Sequence, residues 1–114
     1  MSDVPTDLNP LAVLAALANP QRWQTVGLMA RGETLTINGL VETTKRSYKS
    51  VHKDMDVLYA AGAVAVRYGE DKRVGLFYVA EKYRPQLGVV DYGFCAVRFG
   101  DAAKLPEIIP KGKD

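Results

Sequence analysis

The residues best suited to chemistry are cationic and crowded together. Lys45, Arg46, Lys49 and Lys53 fall within nine positions that hold no acidic residue, so this window carries +4 in a chain whose formal net charge is +2. The remainder therefore sums to −2. Clustered cations suit a polyanion: duplex DNA displays about one phosphate charge per 1.7 Å of axis, and neutralising it releases condensed counterions. Ser47 and Ser50 add small hydroxyls fit for phosphate or base contacts, and Lys49 has the reach to donate to guanine O6 or N7. At about 100° per residue, Lys49, His52 and Lys53 fall within roughly a 100° arc of one helix. Asp56 lies on the same outward side one turn later, where it opposes deep entry of the C-terminal half into an anionic groove. A second cluster sets Arg67, Lys72 and Arg73 against Glu70 and Asp71, a balance of +1. Lys72 or Arg73 would there meet a minor groove or its phosphates, or else form ion pairs within a solvated turn.

Other chemistries find little support. Asp54 and Asp56 stand two apart on the same helix and point to nearly opposite sides, which no catalytic carboxylate pair does. A thiol–imidazole pair would need Cys95 beside His52, and nothing in the pattern joins them. Cys95 alternates with Val97 and Phe99, as a small inward-facing apolar residue does. Gly88 and Gly93 are isolated and neither opens a helix, so no glycine-rich phosphate loop is present. One cysteine and one histidine cannot assemble a thiolate or imidazole zinc cluster. The expectation is a binding protein, with no enzymatic activity, no metal and no cofactor.

The elements that must carry these residues are marked by caps and periodicity. Asn9-Pro10 opens one helix, with Leu11, Leu14, Leu17 and Ala18 at helical spacing, and Asn19-Pro20 opens a second. Trp23, Val26, Met29 and Ala30 give the second an apolar stripe, and Gly32 stands at its expected end. Thr36 caps a short third helix containing Ile37, Leu40 and Val41. Ser47 caps a fourth, running to about Ala61 and stopped by Gly62, with Tyr48, Val51, Met55 and Leu58 as its inner face. Only Glu42 to Arg46 separates the two, the spacing of a helix-turn-helix whose second helix can enter a major groove. Beyond Gly62 the period becomes that of a strand. Val64 to Tyr68 and Val74 to Val79 flank the polar turn 69–73 and predict a hairpin. The segment 81–88 reads as a helical turn broken by Pro85, and Val89 to Phe99 as one further extended strand.

With 114 residues, 47% of them hydrophobic and 25% charged, the chain has the balance of one globular domain rather than a disordered segment. Its longest apolar run, Leu11 to Ala18, is far short of the ~20 residues of a membrane span. The absence of a leader-like opening and the lone cysteine predict a reducing cytoplasm. The expected organisation is a loose arm over 1–9, an α+β winged domain with a C-terminal strand extension over 10–99, and an irregular tail over 100–114.

The stretch Leu17-Ala18-Asn19-Pro20-Gln21-Arg22-Trp23 resembles the opening signature of the ArsR-type winged-helix transcription regulators. Leu58-Tyr59-Ala60-Ala61-Gly62-Ala63-Val64 resembles that family's exit from the recognition helix. The likeness spans about residues 11–79, and its two signatures are moderately specific together and weak apart. It implies a winged helix-turn-helix and a homodimeric repressor of operons. It also implies that Ser47, Tyr48, Lys49, Ser50 and Lys53 occupy positions that face DNA. Three departures stand out. The turn Glu42 to Arg46 lacks the family's apolar residues and glycine. The third helix lacks the paired cysteines of the metal-sensing members, so metal sensing is not implied. The strand-like Val89 to Phe99 replaces the usual last helix. The competing use of the same scaffold is a protein–protein interaction module, with Trp23 and the aromatics Tyr83, Tyr92, Phe94 and Phe99 in the contact.

Overall fold

The computed structural model describes residues 8–99; the arm expected over 1–9 falls largely, and the tail over 100–114 wholly, outside them. Four helices come first: α1 (Pro10–Leu17), α2 (Pro20–Met29), α3 (Ile37–Thr44) and α4 (Tyr48–Ala61). A hairpin of β1 (Ala65–Tyr68) and β2 (Gly75–Tyr78) follows, then a 3-10 turn (Glu81–Tyr83) and the strands β3 (Val89–Asp91) and β4 (Ala96–Arg98).

Each helix starts where its cap allows. Asn9 Oδ1 accepts from the amides of Leu11 and Ala12 at 3.0 and 3.3 Å, and Asn19 Oδ1 from Gln21 and Arg22 at 3.0 and 3.1 Å. Thr36 Oγ1 accepts from Gly39 N at 3.0 Å and Ser47 Oγ from Ser50 N at 3.1 Å. These bonds satisfy first-turn amides that have no partner within the helix. Helix α2 ends at Met29 rather than at Gly32, which follows the last turn with φ 93°. The turn from α3 to α4 is made without glycine. Lys45 takes the left-handed conformation itself, φ 62° and ψ 29°, and its amide closes on the Val41 carbonyl.

The helices and both hairpins share one core. Val13 and Leu17 of α1, Val26 and Met29 of α2, Leu40 of α3 and Val51, Met55 and Leu58 of α4 are buried together with Val79, Val90 and Tyr92. Strand β2 pairs antiparallel with β1 in the register Val66↔Phe77. On its other side Phe77 exchanges backbone hydrogen bonds with Leu35, at 2.9 and 2.8 Å, tying the segment before α3 into the wing.

Two further expectations need correction. Val89 to Phe99 is not one strand but a second antiparallel hairpin, with Val90 opposite Val97. Asp91 Oδ1 accepts from Gly93 N at 2.8 Å and Gly93 has φ 100°, so the chain reverses there. This hairpin is docked in three ways. The Tyr92 hydroxyl donates to the Ala63 carbonyl at 2.8 Å. The Phe99 ring meets Trp23 at 4.9 Å between centroids. Gly27, one helical turn after Trp23, leaves the notch in α2 that admits that ring: a Cβ there would lie 3.1 Å from Phe99 Cδ1. The second correction is Tyr48. It is 53% exposed instead of facing the core, because it lies on the edge of the inner arc in the first turn of α4.

Candidate nucleic-acid interface

Helix α4 is held by one face and presents another. Val51, Met55 and Leu58 sink into the core, while Lys49, His52, Lys53 and Asp56 are exposed. At the start of α4 lie the exposed Lys45 and Ser47. The Ser47 hydroxyl donates to Ser50 Oγ at 3.0 Å while accepting the Ser50 amide, so this cap is a closed pair of hydroxyls. The Tyr48 ring lies 5.9 Å from His52, and His52 Nδ1 lies 3.2 Å from Asp56 Oδ2. Tyr48, His52 and Asp56, with Tyr59 beyond them, form one wall of a cleft of 520 Å³ whose opposite wall is the hairpin, with Tyr68 and Phe77.

Arg46 is placed differently from the other cations. Its guanidinium is half-buried and donates to Asp54 Oδ2. Arg22 Nη1, from α2, donates to Asp54 Oδ1 at 3.2 Å, and Arg22 Nε donates to the Ala16 carbonyl at the end of α1 at 2.6 Å. Asp54 is only 7% exposed. A carboxylate removed from water needs such partners, because an unpaired buried charge is strongly destabilising. The divergence of Asp54 and Asp56 is plain from helical spacing, but this three-residue cluster is not. The available signal was an acidic residue bordering the apolar arc of α4, a position that calls for a cation from another element.

In the wing, the turn between β1 and β2 carries the exposed Lys72 and Arg73. Arg73 donates from Nε and Nη2 to the Asp71 carboxylate at 3.1 and 3.4 Å. The Arg73 side chain, and then its amide, hold the Asp71 carboxyl below its ordinary value. Arg67 lies farther down β1 with its guanidinium 5.0 Å from the centre of the Tyr78 ring.

Outside this surface, Cys95 is half-buried and burial, then the Asp91 charge, push its thiol up. The buried Tyr92 phenol is pushed up for the same first reason. Among the described residues no group of three or more His, Cys, Asp or Glu side chains is placed to hold a metal ion. No helix among them is long and apolar enough to cross a membrane.

No family model matches the chain, and no curated protein matches it. Among solved structures the chain is similar to reduced HlyU from Vibrio cholerae N16961, at 18% identity and a TM-score of 0.55, over 63% of this chain and 73% of that one. A second HlyU structure from the same organism aligns at 19% identity and a TM-score of 0.56, over 63% and 75% of the two chains. At such low identity the likeness is one of backbone, and it agrees with the element order described above: the chain has the α+β winged-helix fold.

Proposed function

We propose that this protein is a sequence-specific, DNA-binding transcriptional regulator that works as a homodimeric repressor in the cytoplasm. Helix α4 enters the major groove and the wing turn over 67–73 lies along the flanking groove. The observation that carries the reading is the division of α4: its apolar face is buried in the core while its N-terminal half turns Lys49, His52 and Lys53 outward beside Lys45 and Ser47. In a helix-turn-helix that half meets base edges, and clustered cations there add counterion release. The likeness in fold to HlyU supports the scaffold on which this surface is mounted.

A dimer extends the footprint to two half-sites about 34–36 Å apart. Its seam is assigned to α1 and the C-terminal hairpin, because Leu11 is 77% and Leu14 45% exposed on the outer side of α1 and Phe94 is exposed at the hairpin tip. Light scattering should give twice the chain mass at micromolar concentration, and a mass near 12.5 kDa would contradict the dimer. The same exposed apolar residues favour the second reading, a protein–protein interaction module without DNA binding. Genomic footprinting followed by binding titrations on the recovered site separates the two. DNA binding weakens steeply with added salt, whereas an apolar protein contact does not.

A further inference from the structure

We infer that Asp54 is a positioning residue for the recognition helix, and that Arg46 acts on DNA only through its ion pair with Asp54. This deepens the DNA-binding reading and rests on it. The apolar face of α4 anchors the helix and sets its coarse rotation, but burial of Val51, Met55 and Leu58 is itself non-directional. Direction comes from hydrogen bonds, and charge-assisted ones are the strongest of these. Asp54 divides its two oxygens between segments that flank α4: Oδ1 takes Arg22 of α2, and Oδ2 takes Arg46 of the turn that leads into α4. Arg22 in turn holds the Ala16 carbonyl at the end of α1. One carboxylate thus fixes α4 against α2, the last turn of α1 and the turn itself. A rotation of about 10° moves an atom at the helix surface, some 5–6 Å from the axis, by about 1 Å, beyond the tolerance of about 0.5 Å for directional contacts. Arg46, a candidate DNA contact by its charge, is thereby turned inward, 26% exposed at its side chain and committed to Asp54.

The test is a double-mutant cycle on DNA affinity in the full chain. The probes are a duplex carrying the footprinted site and a scrambled duplex of equal length, at a temperature where each variant is shown folded by circular dichroism. Arg46→Ala, Asp54→Asn and the double variant should each weaken binding to the site by about tenfold, the double no more than the stronger single, as coupled partners do. Binding to the scrambled duplex and its salt slope should stay at the wild-type values. Arg46→Gln should repeat the loss of specificity while keeping Arg22 on Asp54, so the inference stays testable even if Asp54→Asn does not fold. It is overturned if Arg46→Ala or Arg46→Gln weakens both duplexes equally and lowers the salt slope by about 0.9, the signature of a lost phosphate contact. Additive losses in the cycle overturn it as well. If the wild-type protein binds neither duplex, the DNA-binding reading itself falls; if it binds and the variants behave as phosphate contacts, only the positioning role falls.

Discussion

Removing the two lysines of the exposed arc, Lys49→Ala with Lys53→Ala, is the most direct perturbation of the proposed interface. Both side chains are exposed, and neither takes part in the ion pairs around Asp54 and Asp56. Exposed substitutions of this kind change stability by no more than about 0.5 kcal/mol, so the fold survives. Each phosphate contact adds about 0.9 to the slope of log affinity against log salt, and two contacts add about 1.8. A fourfold rise in salt then costs the wild-type protein about 12-fold more affinity than the double variant. Fluorescence anisotropy on the footprinted duplex, from about 50 to about 200 mM salt, measures both slopes directly. The single variants divide the roles. A phosphate-contacting lysine lowers the slope uniformly across sequences, whereas a base-reading one relaxes preference at one position. Wild-type affinity and slope in the double variant would remove α4 from the interface and refute the reasoning.

Three further outcomes follow from the same structure. Lys45→Gly should raise stability by about 0.5–1 kcal/mol in chemical denaturation, since glycine accepts the left-handed φ of 62° without the Cβ penalty; DNA affinity should fall in the same variant if Lys45 meets a phosphate. Gly27→Val should destabilise by about 1–3 kcal/mol, read as a lower denaturant midpoint, because its side chain fills the notch that Phe99 occupies. Stability should fall as pH rises past about 9, where the unfolded chain releases protons from Cys95 and then Tyr92, whose ordinary values are 9.0 and 10.0, because burial raises both groups in the folded chain. Cys95→Ser and Tyr92→Phe should each flatten that decline, and an unchanged pH profile in both would refute the assignment.

Local signals along the chain specify the helix starts, the stop of α4 and the first hairpin. An Asn-Pro pair, a threonine or serine cap, a glycine at φ 85° and a polar turn between β-rich segments act within a few residues. The exposed arc Lys49, His52, Lys53 was legible for the same reason: helical periodicity alone sets it opposite Val51, Met55 and Leu58. The C-terminal hairpin was partly legible. Asp91 and Gly93 are turn signals, but the alternation of Cys95, Val97 and Phe99 masked them, and what docks the hairpin lies far away in sequence: Trp23, the gap at Gly27 and the Ala63 carbonyl. What separates Arg46 from its neighbours is long-range packing. Lys45, Arg46 and Lys49 look alike as charges in a nine-residue window, and the difference is made by Asp54 eight residues on and Arg22 thirty-two residues back from it. Local propensity carries no information about which cation a buried carboxylate will capture, because that is settled by which elements the core brings together and by the cost of leaving the carboxylate unpaired.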